Sequence, residues 1–149
     1  MRAVVQRVRE ARVKVADQWL AEIGAGLVVL LGVENGDNPG DIKYIADKVA
    51  HLRIFDDSQG KMNLSALDLH QEILVVSQFT LAGDVRKGRR PSFTGAAEPA
   101  LAEVYYEQVV QGLRELGLKV ATGQFQAEML VEIFNDGPVT LLLDSRRRF

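Results

Sequence analysis

Two short segments carry the side chains most able to do chemistry. Ser77-Gln78-Phe79-Thr80-Leu81 groups two hydroxyls, an amide and an aromatic directly after the strand-like run Gln71–Val76. Backbone N–H groups at such a strand end can face the oxyanion of a tetrahedral intermediate, where one donor is worth about 10²–10³ in rate. Thr80 is the obvious hydroxyl nucleophile, but a threonine needs an activating base, and the sequence marks none. His51 falls inside a helical pattern and His70 precedes a strand, outside any motif. The same hydroxyls equally suit the plainer task of capping a strand end. No His, Asp or Glu set has metal-ligand spacing, and no Gly-x-Ser-x-Gly elbow or phosphate-binding glycine fingerprint is present. Neither a cofactor nor a metal is therefore expected.

The second segment is Asn135-Asp136-Gly137-Pro138-Val139-Thr140, between the strand-like runs Met129–Phe134 and Val139–Leu143. Proline lacks an N–H and does not belong inside a central strand. Its glycine neighbour reaches backbone angles other residues avoid. A rigid turn pinned to a sheet can present two fixed carbonyls to a ligand, although Asn-Asp-Gly-Pro also suits an ordinary strand-to-strand turn. Between the two segments lies Arg86-Lys87-Gly88-Arg89-Arg90-Pro91-Ser92-Phe93, a basic loop bearing an aromatic. Net charge is only −2, so any RNA contact must be local. Arg86, Lys87, Arg89 and Arg90 are the candidates, with the tail Arg146-Arg147-Arg148 more readily read as solvated.

Ser77–Leu81 and Asn135–Thr140 together resemble the two signatures of the D-aminoacyl-tRNA deacylase family, Ser-Gln-Phe-Thr-Leu and Asn-x-Gly-Pro-Val-Thr. The start Met1–Val8, the length and the motif order are similar to that family too, so the resemblance spans the chain. It implies hydrolysis of the ester of D-aminoacyl-tRNA, with the aminoacylated 3′ end as substrate, and possible action on glycyl-tRNA. It implies a homodimer with active sites at the interface. Gln78 and Phe79 would supply backbone donors, and Ser77 and Thr80 would shape the site, while the RNA's terminal 2′-hydroxyl assists. Gly137 and Pro138, joined by a cis bond, would project carbonyls into the neighbouring subunit's pocket and exclude an L-side chain. Arg7 would hold those carbonyls, and Met129 would line the pocket. One departure stands out. The family often has Gly-x-Phe-Gly-Ala where this chain has Gly123-Gln124-Phe125-Gln126-Ala127, which puts the local loop shape in question. Two rival readings are a different esterase using Thr80 and a non-catalytic RNA-binding module using Arg86–Arg90 and Phe93.

The elements that must position these residues follow from periodicity. Met1–Val8 and the alternating Ala11–Val15 read as strands, then Trp19–Ile23, and then Leu27–Val33, an apolar run fit for burial on both faces. A helix is predicted from an N-cap at Asp41 to about Leu52, with Ile42, Ile45, Val49 and Leu52 inward. Arg53–Phe55 reads as a short strand. A second helix is predicted over Glu98–Leu116, with Leu101, Val104, Tyr105, Val109, Leu113 and Leu116 buried. Lys119–Thr122 completes the strands. The class is α+β: two main helices on a mixed, largely antiparallel, barrel-like sheet, all one domain over residues 1–149. At 149 residues and 47% apolar the chain supports a full core. No run approaches the roughly 20 apolar residues that span a bilayer. The absence of cysteine removes disulfides and thiolates, and with no apolar leader the expected location is cytoplasmic.

Overall fold

The computed structural model describes residues 1–149. Its first strand organises the rest. β1 runs unbroken over Arg2–Val15, where two strands were expected. Ala3 and Val5 are buried, then Arg7 and Val8 in succession, then Ala11 and Val13. A flat strand would keep one parity inward throughout. Here the pairing with the last strand slips between Gln6 and Val8, and again between Val8 and Glu10. The first slip is extra chain in the last strand and leaves the alternation of β1 intact. The second leaves Arg9 as an extra residue in β1, and so brings Ala11 and Val13 to the face that Val8 takes, opposite to Ala3 and Val5.

β2 (Gln18–Ile23) pairs antiparallel with the second half of β1, and β3 (Gly26–Gly32) with the first half. After helix α1 (Pro39–His51), β4 (Phe55–Asp56) and β5 (Met62–Leu64) form a separate ribbon. β6 (Glu72–Ser77) is parallel to β3, and β7 (Lys119–Thr122), reached through helix α2 (Pro99–Glu115), is parallel to β6. β8 (Leu130–Asp144) lies antiparallel along the whole of β1. The fold is α+β with a mixed sheet, antiparallel around β1 and parallel at β3–β6–β7. It curls into a barrel-like form, because β2 also approaches β6 and β7.

The curl creates two cores. Leu27, Val29, Ile73 and Val75 face the helices and meet Ile45, Val49, Val109 and Leu113. Val28, Leu74 and Val76 point the other way, to Val8, Ala11, Val13 and Ile23. β3 and β6 serve both cores, which is why their sequences are apolar without alternation.

The helix ends are built from local chemistry. Asn38, not Asp41, caps α1: its side chain accepts from the Gly40 N–H at 2.9 Å, and the Asp41 carboxylate accepts from the Asn38 N–H at 2.8 Å. Asp41 is thus the reciprocal member of a capping box. Pro39 and Pro99 open their helices, where a missing N–H costs nothing. The buried stripe of α2 is Tyr106, Val109, Val110 and Leu113. Val109 and Leu113 meet expectation, whereas Leu101, Val104 and Leu116 are exposed. The buried face of α2 is set by α1 beside it as well as the sheet beneath, and the remaining apolar residues lie outside that contact.

Candidate active site

Where β3 and β6 end, a cavity of about 870 Å³ opens. Its lining includes Val76, Ser77, Gln78 and Phe79 from the end of β6, with Met129 just before β8 and Val131 at its start. Four of the expected site residues, Ser77, Gln78, Phe79 and Met129, therefore line one cavity, whereas Thr80 lies outside its lining. Most of the surface is apolar, the usual character of a ligand site.

Immediately after β6 the chain turns through a short 3₁₀ helix, Phe79–Ala82. The first N–H groups of any helix lack partners within it, and no side chain caps this one. Phe79 N–H and Thr80 N–H are those first groups. Gln78 N–H is not available in the same way, because it donates to the Leu31 carbonyl of β3 at 2.8 Å. This corrects the expectation that both Gln78 and Phe79 offer backbone donors. The Gln78 contribution is its side-chain amide, which donates to the Thr80 hydroxyl. An amide N–H cannot take up a proton, so this contact does not activate Thr80 as a nucleophile. The turn is seated tightly. A methyl group at Gly32 would come within 2.9 Å of the Gln78 carbonyl and 3.1 Å of Leu81 Cβ.

Several residues of the cavity lie outside the set of site residues that the family resemblance implied. Phe93 meets Phe79 edge-on with ring centroids 5.1 Å apart. Tyr106 and Phe125 form a second aromatic pair at 6.0 Å, and the Tyr106 hydroxyl donates to the Val75 carbonyl at 2.8 Å. Burial raises the Tyr106 hydroxyl pKa well above the usual tyrosine value. Glu98 supplies the sole carboxylate of the lining. Tyr106 was hidden because the α2 stripe sits one position away from the expected one. His51 and His70 lie outside the lining.

The Gly137–Pro138 bond is cis. The segment is not a turn between two strands that pair with each other. Both flanks belong to β8 and both pair with β1: Gln6 faces Thr140, and Val8 faces Asn135. Between those pairs Arg7 alone opposes Asp136, Gly137, Pro138 and Val139, so the four residues bulge out of a continuous strand. The Asn135 amide staples the base, donating to the Arg7 carbonyl at 2.8 Å and the Val139 carbonyl at 3.0 Å. Gly137 has φ +123°, and a methyl group there would meet Val139 Cγ2 at 2.8 Å. Arg7 is buried under the bulge and donates to the Ile54 carbonyl at 2.7 Å and the Asp136 carbonyl at 3.3 Å. Its hold is thus on the residue before Gly137, rather than on the Gly-Pro carbonyls. Gly137 and Pro138 are exposed and do not line the cavity of their own chain.

The basic loop is a hairpin closed by Asp84 and Ser92, whose backbones exchange hydrogen bonds of 2.7 and 2.9 Å. Phe93 follows at its base and carries the loop to the cavity wall. The Arg86 guanidinium grips the Asp84 carboxylate at 2.9 and 2.6 Å, and this bond holds the Asp84 carboxyl far below its ordinary range. The charge of Arg86 is therefore compensated within the loop. Lys87, Arg89 and Arg90 are exposed and form no ion pair.

A family model described as D-Tyr-tRNA(Tyr) deacylase matches residues 4–144. Curated relatives named D-aminoacyl-tRNA deacylase include proteins of Heliobacterium modesticaldum, 60% identical over 98% of this chain and 97% of that protein, and of Halothermothrix orenii, 58% identical over the full length of both. A solved structure described as a c-Myc DNA unwinding element binding protein superposes with TM-score 0.91 at 41% identity, covering 97% of this chain and 98% of the other. A second, described as a probable eukaryotic D-amino acid tRNA deacylase, shares the fold with TM-score 0.79 at 18% identity, over 95% and 97% of the two chains. With signatures unbroken and similarity running end to end, this chain belongs to the D-Tyr-tRNA(Tyr) deacylase family.

Proposed function

We propose that this protein is a hydrolase that cleaves the ester of D-aminoacyl-tRNA, releasing free D-amino acid and tRNA. The observation that carries the reading is the Ser77–Phe79 segment at the wall of an aromatic cavity, where it enters a turn whose first N–H groups, Phe79 and Thr80, have no partner. In this mechanism the ester carbonyl oxygen lies against those donors. Water adds to the carbonyl carbon, the bond to the ribose oxygen breaks, and that oxygen takes the proton. Donors fixed before reaction stabilise the developing oxyanion, a contribution of about 10²–10³ in rate for one such group. Ser77 and the Gln78–Thr80 pair shape the site. No activated side-chain nucleophile is needed, and the terminal 2′-hydroxyl of the RNA assists proton movement.

Chirality is decided by Gly137 and Pro138 of a partner subunit. Their exposure outside their own cavity fits a bulge that enters a neighbour's. An L-side chain then clashes with the carbonyls, while a D-side chain, or the hydrogen of a glycyl ester, does not. Discrimination by clash needs no contact specific to the right substrate, so a range of D-aminoacyl groups and glycyl-tRNA are substrates.

The test is deacylation of matched D- and L-tyrosyl-tRNA with a chelator present. Rapid loss of the D-ester alone is expected. Loss of both would leave a hydrolase without the chiral gate, and binding without loss of either would leave an RNA-binding module. Gly137→Ala, which meets both a positive φ and Val139, is expected to reduce the D-over-L preference by about tenfold or more while leaving tRNA affinity nearly unchanged. Full preference in that variant would remove the carbonyl gate.

A further inference from the structure

The two ends of the chain meet in an ion cluster beside the reactive turn. The buried Met1 ammonium donates to Asp37 at 2.6 Å and to the Ser145 hydroxyl at 2.9 Å. Arg146 reaches Asp37 at 2.8 Å and the Asn35 carbonyl, and Arg148 pairs with Asp144 at 2.6 Å and with Glu34. Glu34 and Asp144 are buried, and burial alone would raise their pKa values. The Arg148 hydrogen bonds and the neighbouring cations outweigh it and hold both below the ordinary carboxylate range.

Arg2 stands at the edge of this cluster and behaves differently from its neighbours. Its Nε is buried, 3.4 Å from Glu34 and 3.7 Å from Asp144, yet makes no directed hydrogen bond to either. Its one directed bond runs outward, from Nη1 to the Leu81 carbonyl at 2.9 Å. Leu81 lies inside the Phe79–Ala82 turn, and a carbonyl near the end of so short a helix has no helical partner. The carboxylates thus aim the guanidinium, and the guanidinium grips the turn.

We infer that Arg2 is a positioning residue for the reactive turn, fixing Phe79 and Thr80 N–H through the Leu81 carbonyl. The inference rests on the reading of that turn as the oxyanion site. Oxyanion donors act only where their geometry is set beforehand, and displacement by a fraction of an ångström lowers turnover more than binding.

Arg2→Met removes the grip. It is expected to lower kcat on D-tyrosyl-tRNA about 10- to 100-fold with KM for the tRNA nearly unchanged. Arg146→Met loosens the same corner without touching Leu81, and is expected to lower the melting temperature while sparing kcat. Amide hydrogen exchange at Leu81 and Gly83, whose N–H groups close the turn onto Gln78 and Thr80, is expected to accelerate in Arg2→Met and not in Arg146→Met. Equal kcat losses in the two variants at matched stability would overturn the inference, as would unchanged exchange in Arg2→Met. If the unmutated protein spared D-tyrosyl-tRNA while exchange still rose in Arg2→Met, the grip would stand and the functional reading would fall.

Discussion

At the scale of single residues, Gln126 shows how a departure in sequence is absorbed. The family often has glycine there, and Gln126 indeed sits at φ +57°, the left-handed region that glycine enters freely. The Gln126 side chain bears a cost of about 1 kcal/mol for that conformation. Gln126→Gly relieves the strain but frees the unfolded chain. It is expected to be neutral or to stabilise by up to about 1 kcal/mol, whereas β-branched Gln126→Val should destabilise by about 1–3 kcal/mol. Urea unfolding measures both, and a glycine variant clearly weaker than the valine one would contradict the account. The signature hydroxyls and the Gly-Pro step were legible from residue type alone. That Gln78 N–H is committed to Leu31, or that Arg7 holds the Asp136 carbonyl, was not, because each bond depends on a strand distant in sequence.

At the scale of elements, the same division recurs. Local chemistry reads Asn-Asp-Gly-Pro as a turn, and the backbone does leave the sheet there. Only the shared partner β1 makes the two flanks one strand and the turn a bulge. The basic loop was legible as a charged loop, but the division of labour within it was not, since Asp84 had to fold back onto Arg86. That division makes a prediction. Lys87→Ala, Arg89→Ala and Arg90→Ala should each weaken tRNA binding and reduce its salt dependence by about one unit of slope if they touch phosphate. Arg86→Ala should act mainly through the shape of the loop, with a smaller change in slope. Titrations at several salt concentrations decide between this and a loop whose four cations contribute equally.

At the scale of the whole molecule, β8 raises the question of what completes it. It pairs with β1 alone, so its second edge has no strand beside it. Leu130, Phe134 and Leu142 on it are exposed at 59%, 49% and 60%. A long edge with apolar side chains invites association, and the exposed Gly137–Pro138 bulge lies on the same strand. A two-fold dimer would cover that edge and give each cavity a bulge from the other chain. Two variants separate this arrangement from a bulge acting within its own chain. Gly137→Ala keeps its cavity and is expected to lose chiral selection, while Ala96→Trp is expected to fill its cavity and keep the bulge. Gly137→Ala alone should deacylate both enantiomers, and Ala96→Trp alone neither. After the two are unfolded and refolded together with Ala96→Trp in excess, nearly every open cavity belongs to a mixed dimer and faces an intact bulge. The mixture should then regain D-over-L preference. A bulge serving its own chain would leave the mixture as unselective as Gly137→Ala by itself, and a mass matching a single chain in sedimentation would exclude the shared site directly.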